Sequence, residues 1–368
     1  MSHQTLFLQQ SYLDCTEQYI QILQKPNLPL WDYIILTASN ESQAESYRMQ
    51  IAYRLRKGML PPGSHYAVLP DPDGQRVGSG GATLHVLRYV HEREGSFAGK
   101  RILVIHSGGD SKRIPQYSAC GKLFSPVPRL LPNGRRSTLF DEFMIACGGV
   151  AARISGGMLV CSGDVLLLFN PLQIDFYGKG AAALSIKEPA EVGRNHGVFR
   201  VDGEGNVGQF LHKKTVDQLE GLGAVDGQGH VDIDTGAVIL DSAMLADLYG
   251  LVDTPEKFAA YVNGKARLSF YGDFLYPLAS AATLEEYYQE TPEGDFTPEL
   301  HACRTALWQV LHPYRMKLIR MSPAAFIHFG TTRELRHLMT DGLEAYRYLG
   351  WQAWIQTNRG KGDPESAS

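Results

Sequence analysis

The chain has 368 residues, 44% of them hydrophobic and 20% charged, with a formal net charge of -4. That composition suits a globular protein with one large core or two ordinary domains. The acidic balance argues against nucleic acid as a partner, and no apolar stretch approaches a membrane-spanning length. Five scattered cysteines, with no two at metal-ligand spacing, argue against a zinc site or disulfide framework and point to the cytoplasm.

From the amino end, Ser11 to Gln24 has the spacing of an amphipathic helix. Trp31 to Leu36 is a short apolar run of β formers. It leads through a loop at Thr37, Ala38, Ser39 and Asn40 into a helical pattern from Glu41 to Lys57. The same strand–loop–helix unit recurs. Tyr66 to Leu69 passes through a glycine-rich loop into Thr83 to Arg93, and Arg101 to His106 enters another glycine-containing loop. Met158 to Cys161 is a fourth buried strand. Near-continuous apolar strands alternating with helices predict an α/β, Rossmann-like fold: a mixed, mainly parallel sheet with helices on both faces. Past about residue 180 the strands shorten and are separated by Gly, Asp and Asn, at Ala181 to Ile186, Gly197 to Val201, Val207 to Leu211 and Val231 to Leu240. This predicts a hairpin-rich part. Helical patterns return at Pro298 to Leu311 and Thr331 to Leu349, and the small polar residues from Gly360 to Ser368 read as a disordered end. The expected division is one domain over residues 1–350, with parts 1–180 and 181–350, and a tail at 351–368.

Four stretches carry chemistry. In the first, a strand ends at Ile105-His106 and runs into Ser107, Gly108, Gly109, Asp110 and Ser111, then Arg113, with Lys122 nine residues on. Two glycines let backbone N–H groups approach phosphate oxygens, Arg113 offers a planar fork, and Lys122 adds a compact charge. The competing reading is a plain βα turn with solvated charges. In the second, Gly78, Ser79, Gly80 and Gly81 precede a helix whose N-terminus favours anions. In the third, Asp164 closes the apolar run from Leu159, where open α/β sheets place ligands. A carboxylate there suits Mg²⁺ or, more plainly, caps a helix. The fourth is a hairpin from His196-Gly197 that ends in Lys213 and Lys214. Beyond it, Asp234-Thr-Gly236 and Asp273 add carboxylates, the latter a possible second metal ligand.

Ser107 to Arg113 followed by Lys122 is similar to the glycine-rich signature of sugar nucleotidyltransferases. It departs from that signature at Gly121, where proline usually precedes the lysine. Gly78 to Leu84, His106 to Arg113, Ser118 to Phe124, His196 to Val198 and Phe329 to Leu335 together resemble the blocks of the fucose-1-phosphate guanylyltransferase family. The resemblance implies transfer of a guanylyl group from GTP to β-L-fucose 1-phosphate in fucose salvage. It also implies a Mg²⁺ cofactor, and a normal fusion to a β-helix and a sugar kinase. On that reading Arg113 grips the triphosphate, Lys122 neutralises reacting phosphate, and Asp164 with Asp273 holds Mg²⁺. Thr37 to Asn40 and Gly78 to Gly81 frame the guanosine, and Gly197, Lys213, Asp234 and Gly236 serve the sugar phosphate. Rival readings are a uridylyl- or adenylyltransferase on another sugar 1-phosphate and a non-catalytic nucleotide-binding regulator. A nicotinamide-dependent oxidoreductase is disfavoured, because no Gly-x-Gly-x-x-Gly follows the first strand.

Overall fold

The computed structural model describes residues 2–25, 28, 30–109, 113–118, 121–212 and 214–353. In chain order the strands are β1 Tyr33–Ala38, β2 His65–Pro70, β3 Arg101–His106, β4 Pro126–Leu130, β5 Arg136–Thr138, β6 Gly157–Ser162 and β7 Val165–Phe169. They continue with β8 Ala181–Pro189, β9 Gly197–Val201, β10 Val207–His212, β11 His230–Leu240, β12 Met316–Arg320 and β13 Ala324–His328. Nine of them form one mixed sheet. Its first half is entirely parallel, in the order β2-β1-β3-β6. β11 then pairs antiparallel with β6, and carries β8 and the β9–β10 hairpin beyond it, with β12 alongside β8. The expected boundary at residue 180 therefore falls at the start of a strand of the shared sheet.

Alternation along β1 shows why both faces are covered. Ile34 and Leu36 enter one core, and Tyr33 and Ile35 enter the other. The helices α1 His3–Gln24, α2 Glu41–Arg56, α3 Gly78–Glu94 and α4 Leu139–Gly148 supply part of these two layers. Asn40 starts α2 by accepting from Gln43 N at 3.0 Å, and Thr138 with Asp141 forms a capping box on α4. No helix of the described residues is long and apolar enough to cross a membrane.

Several expectations shift. β1 runs two residues further than the apolar run, through Thr37 and Ala38. α1 begins at His3. The expected helix at Thr331 to Leu349 is broken, with an α-helix at Thr332–Met339 and a 3-10 segment at Leu343–Leu349. Trp351, assigned to the tail, is fully buried, and the N–H of Gln352 donates to Pro128 O at 2.7 Å. The packed structure therefore extends past residue 350. Gly360 to Ser368 lie outside the described residues.

Candidate active site

The carboxyl ends of β3 and β6 open onto one cleft of about 410 Å³. This is where a parallel sheet leaves strand-end loops free to hold a ligand. Of the residues singled out from sequence, Ser79, Ser107, Gly108, Gly109, Arg113, Lys122 and Asp164 line it. Asp110, Ser111 and Lys213 lie outside the described residues.

The loop after β3 is built against the end of β1. Thr37 Oγ1 accepts from the N–H groups of Ser107 and Gly108 at 3.2 and 3.3 Å, and Ser107 Oγ donates to Thr37 O at 2.7 Å. A Cβ on Gly108 would stand 3.2 Å from the Ala38 carbonyl carbon. Thr37, Ala38 and Ser39, expected to frame the nucleotide, are buried behind this loop and shape it from the rear, and they are not among the residues that line the cleft.

Lys122 follows a glycine for a steric reason. Gly121 has φ +71, and a Cβ there would meet Tyr47 Oη at 1.8 Å, while that hydroxyl donates to Ser107 O at 3.0 Å. Proline is confined to negative φ. The departure from the wider signature is therefore tied to Tyr47, which braces the glycine loop. Lys122 Nζ reaches Asp164 Oδ2 at 3.0 Å and Gly330 O at 3.4 Å.

Asp164 is the electrostatic centre of the cleft. Ser162 Oγ donates to its Oδ1 at 2.8 Å, and His328 Nε2 lies 3.8 Å from Oδ2. Burial pushes the carboxyl up, but Lys122, His328 and Ser162 outweigh it and hold it below the usual carboxylate range. His328 is in turn oriented by Glu334 at 2.9 Å. The returning chain brackets this group through main-chain bonds: Phe329 N donates to Asp164 O at 2.7 Å, and Thr332 N to Arg113 O at 2.9 Å.

His106 and Tyr271 complete the floor. Burial pushes the His106 imidazole down to about 3, so it is neutral. Thr83 Oγ1 lies 3.0 Å from its Nε2 and Tyr271 Oη 3.4 Å from its Nδ1. Tyr271 Oη also lies 3.4 Å from Gly236 O. Gly236 sits in a bulge of β11 with φ +71, where a Cβ would be 2.7 Å from Ser162 Cβ, and its N–H donates to Asp234 at 2.9 Å. Burial raises the Asp234 carboxyl to about 6. Gly197 packs beside it: a Cβ there would stand 3.1 Å from Asp234 Cβ. Of the residues assigned to the sugar phosphate, Gly197, Asp234 and Gly236 thus form the layer behind Ser162 and Tyr271.

Two expectations are corrected. Gly78, Gly80 and Gly81 form the first turn of α3, and their missing Cβ atoms admit protein. A Cβ on Gly78 would be 2.1 Å from Leu268 O, one on Gly80 2.7 Å from the Phe274 ring, and one on Gly81 3.0 Å from Val77. Asp273 is unsuited to hold a metal because its carboxylate is already used. Arg304 Nε donates to Oδ1 at 2.8 Å and Ser269 N to Oδ2 at 2.6 Å, and the residue is 1% exposed. Sequence reasoning also missed Arg76, Ser162, Arg267, Tyr271 and His328. Ser162 stood inside the run that ends at Asp164, and Arg76 two residues before the Gly78 motif, whereas nothing local marks Arg267.

Residues 95–367 match the fucose pyrophosphorylase domain. The chain belongs to the fucose pyrophosphorylase family. A bifunctional fucokinase/GDP-fucose pyrophosphorylase of Arabidopsis thaliana is 28% identical over 361 residues, 88% of this chain and 33% of the relative. A fucose-1-phosphate guanylyltransferase of Mus musculus is 28% identical over 339 residues, 84% of this chain and 57% of the relative. This member of the fucose pyrophosphorylase family therefore spans little more than half of one relative and a third of the other. Among solved structures, HddC from Yersinia pseudotuberculosis is similar over 87% of this chain and 81% of its own, with a TM-score of 0.37 and 13% identity.

Proposed function

We propose that the chain transfers the guanylyl group of GTP to β-L-fucose 1-phosphate, giving GDP-L-fucose and diphosphate. The observation that carries this reading is the convergence of Arg113, Lys122 and Asp164 on one cleft in a fucose pyrophosphorylase domain. Relatives over most of this chain bear the names fucose-1-phosphate guanylyltransferase and GDP-fucose pyrophosphorylase. In the reaction an oxygen of the sugar phosphate bonds to the α-phosphorus as the bond to the bridging oxygen of the β-phosphate breaks, and diphosphate departs in line. Positioning and charge stabilisation carry most of such a reaction.

Arg113 clamps the leaving phosphates with its fork, while Gly108 and Gly109 let the loop backbone come close. Lys122 moves from Asp164 to the reacting phosphate as the nucleotide enters. The neutral His106 and Tyr271 shape the floor without adding charge. Asp164, the one carboxylate among the described residues that line the cleft, is kept ionised and fits the carboxylate-plus-phosphate ligation that Mg²⁺ favours. Among the described residues no group of three His, Cys, Asp or Glu side chains gathers to hold a metal by itself. Magnesium bound there would neutralise phosphate charge. We assign the activity to the cytoplasm and to fucose salvage, with a sugar kinase as the natural supplier of the sugar phosphate.

The deciding experiment measures diphosphate release from GTP, ATP, UTP and CTP with fucose 1-phosphate, with magnesium and with excess chelator. Turnover that is highest with GTP and lost in chelator supports the reading. Equal or better turnover with another nucleotide overturns it.

A further inference from the structure

A second stretch of the cleft lining has a different charge pattern. Arg76, Ser79 and Arg267 face the same space as Arg113 and Lys122. Each of these arginines stands beside a carboxylate: Arg76 Nε is 3.4 Å from Asp71 Oδ2, and Arg267 Nε is 3.8 Å from Glu293 Oε1. Two arginines beside two carboxylates leave this stretch with little net positive charge, whereas at the other end of the described lining Arg113 and Lys122 outnumber Asp164. Phosphate groups favour the second arrangement and are repelled by carboxylates in the first. A neutral wall that offers paired donors and acceptors suits a neutral heterocycle that also carries both.

Arg267 shows further signs of a binding role. It has φ +37, a left-handed conformation that is costly for a side-chain-bearing residue and is held only where the surroundings enforce it. The enforcement is visible. Gly80 N donates to Leu268 O at 2.8 Å, Phe270 N donates to Ser79 Oγ at 2.8 Å, and the bare Gly78 admits the Arg267–Leu268 backbone. The Nε of Arg267 is buried 3.8 Å from Glu293 Oε1 and makes no hydrogen bond among the described residues, so the two side chains meet as an ion pair whose hydrogen-bonding capacity is not used up. Burial holds the Glu293 carboxyl above its ordinary value against the opposing pull of Arg267 and of the Ser79 backbone, which places the carboxylate beside the first turn of α3.

We propose that Arg267 and Glu293 select the base of the nucleotide: the Arg267 fork binds O6 and N7 of guanine, and Glu293 accepts from its N1–H and exocyclic amino group. This rests on GTP being the donor nucleotide. The pattern discriminates by chemistry. Adenine would present its amino group to the guanidinium, donor against donor, and a pyrimidine has no N7. Arg76 and Asp71 extend the same alternation along the wall.

The test is equilibrium binding of GDP, ADP, UDP and inosine diphosphate to the full chain without sugar, for the wild type, Arg267→Gly and Glu293→Ala. Glycine is at ease at φ +37, so Arg267→Gly should fold and melt no lower than wild type. Its GDP affinity should fall about 10- to 100-fold, the range of one bidentate arginine–guanine contact, with ADP and UDP affinities nearly unchanged. Glu293→Ala should bind GDP and inosine diphosphate alike, because inosine lacks the exocyclic amino group. An equal loss for GDP, ADP and UDP would make Arg267 a phosphate ligand and overturn the assignment, as would an intact preference for GDP in both variants. A wild type that prefers GDP yet fails to turn over fucose 1-phosphate would defeat the proposed reaction and leave base selection standing. A wild type with no preference for GDP would sink both.

Discussion

Replacing Arg304 by methionine tests the role given to Asp273. The guanidinium, 2% exposed, donates to Asp273 and also to the carbonyls of Tyr287, Tyr288 and Glu290 at 3.1, 3.2 and 2.9 Å. Asp273 in turn holds Ser269, at the head of the segment that carries Tyr271 into the cleft. Methionine fills comparable volume but leaves a buried carboxylate with no cation, a loss of about 3–5 kcal/mol. Unfolding entropy near 2.1 cal/mol/K per residue over 368 residues is about 0.8 kcal/mol/K, so the melting temperature should fall by about 4–6 °C. Calorimetry of Arg304→Met, Asp273→Leu and the double variant measures it, and the double variant should recover part of the loss, since it strands no charge but still leaves the carbonyls of Tyr287, Tyr288 and Glu290 without their donor. A single variant that melts within 1 °C of wild type, or an Asp273→Leu variant of normal stability with an altered magnesium requirement, would refute the structural role and return Asp273 to the metal.

Lys122→Ala should leave the melting temperature nearly unchanged and slow turnover about 10²- to 10³-fold; a variant that keeps most of its turnover removes Lys122 from the reaction. Gly121→Pro, which restores the more usual residue of the signature, should be destabilised in this chain, because neither φ +71 nor the Tyr47 hydroxyl accommodates it. A melting temperature equal to wild type would show that the Tyr47 brace is dispensable. Asp234 gives a pH dependence of known sign. Its folded carboxyl titrates at about 6, against an ordinary 3.8, so the fold favours the neutral acid and loses stability as pH rises from about 4 to 6. The penalty levels off above that at about 3 kcal/mol. Asp234→Asn should therefore stabilise the protein more at pH 8 than at pH 5, and a pH-independent difference would show that the carboxyl is not raised.

The parallel half of the fold was legible because β1, β3 and β6 are continuous apolar runs between glycine or polar loops, a pattern that burial on both faces imposes. α4 was not legible, since Leu139–Gly148 is buried all round and shows no polar stripe. The lining of the cleft was read where chemistry and chain order coincide, at Ser107, Gly108, Gly109, Arg113, Lys122 and Asp164. It was misread where glycine has two uses. At Gly108 the missing side chain brings the loop against β1, whereas at Gly78 and Gly80 it admits a neighbouring segment that lies almost 190 positions away in the sequence. Arg267 and His328 were invisible because only the tertiary fold brings them to the site. Asp273 looked like a ligand until its partner, 31 positions further on, came into view.

The main-chain bonds from Phe329 and Thr332 to Asp164 and Arg113 also bear on how the protein is born. A ribosome releases the chain from its amino end, so the glycine loop, Arg113, Lys122 and Asp164 emerge long before the segment that brackets them. A growing polypeptide holding the entire signature still has an unfinished cleft until residues near 330 have left the exit tunnel. The segment around residue 330 thus acts as a latch: the loops that carry Arg113 and Asp164 are tied in place only once it has emerged and closed its two main-chain bonds.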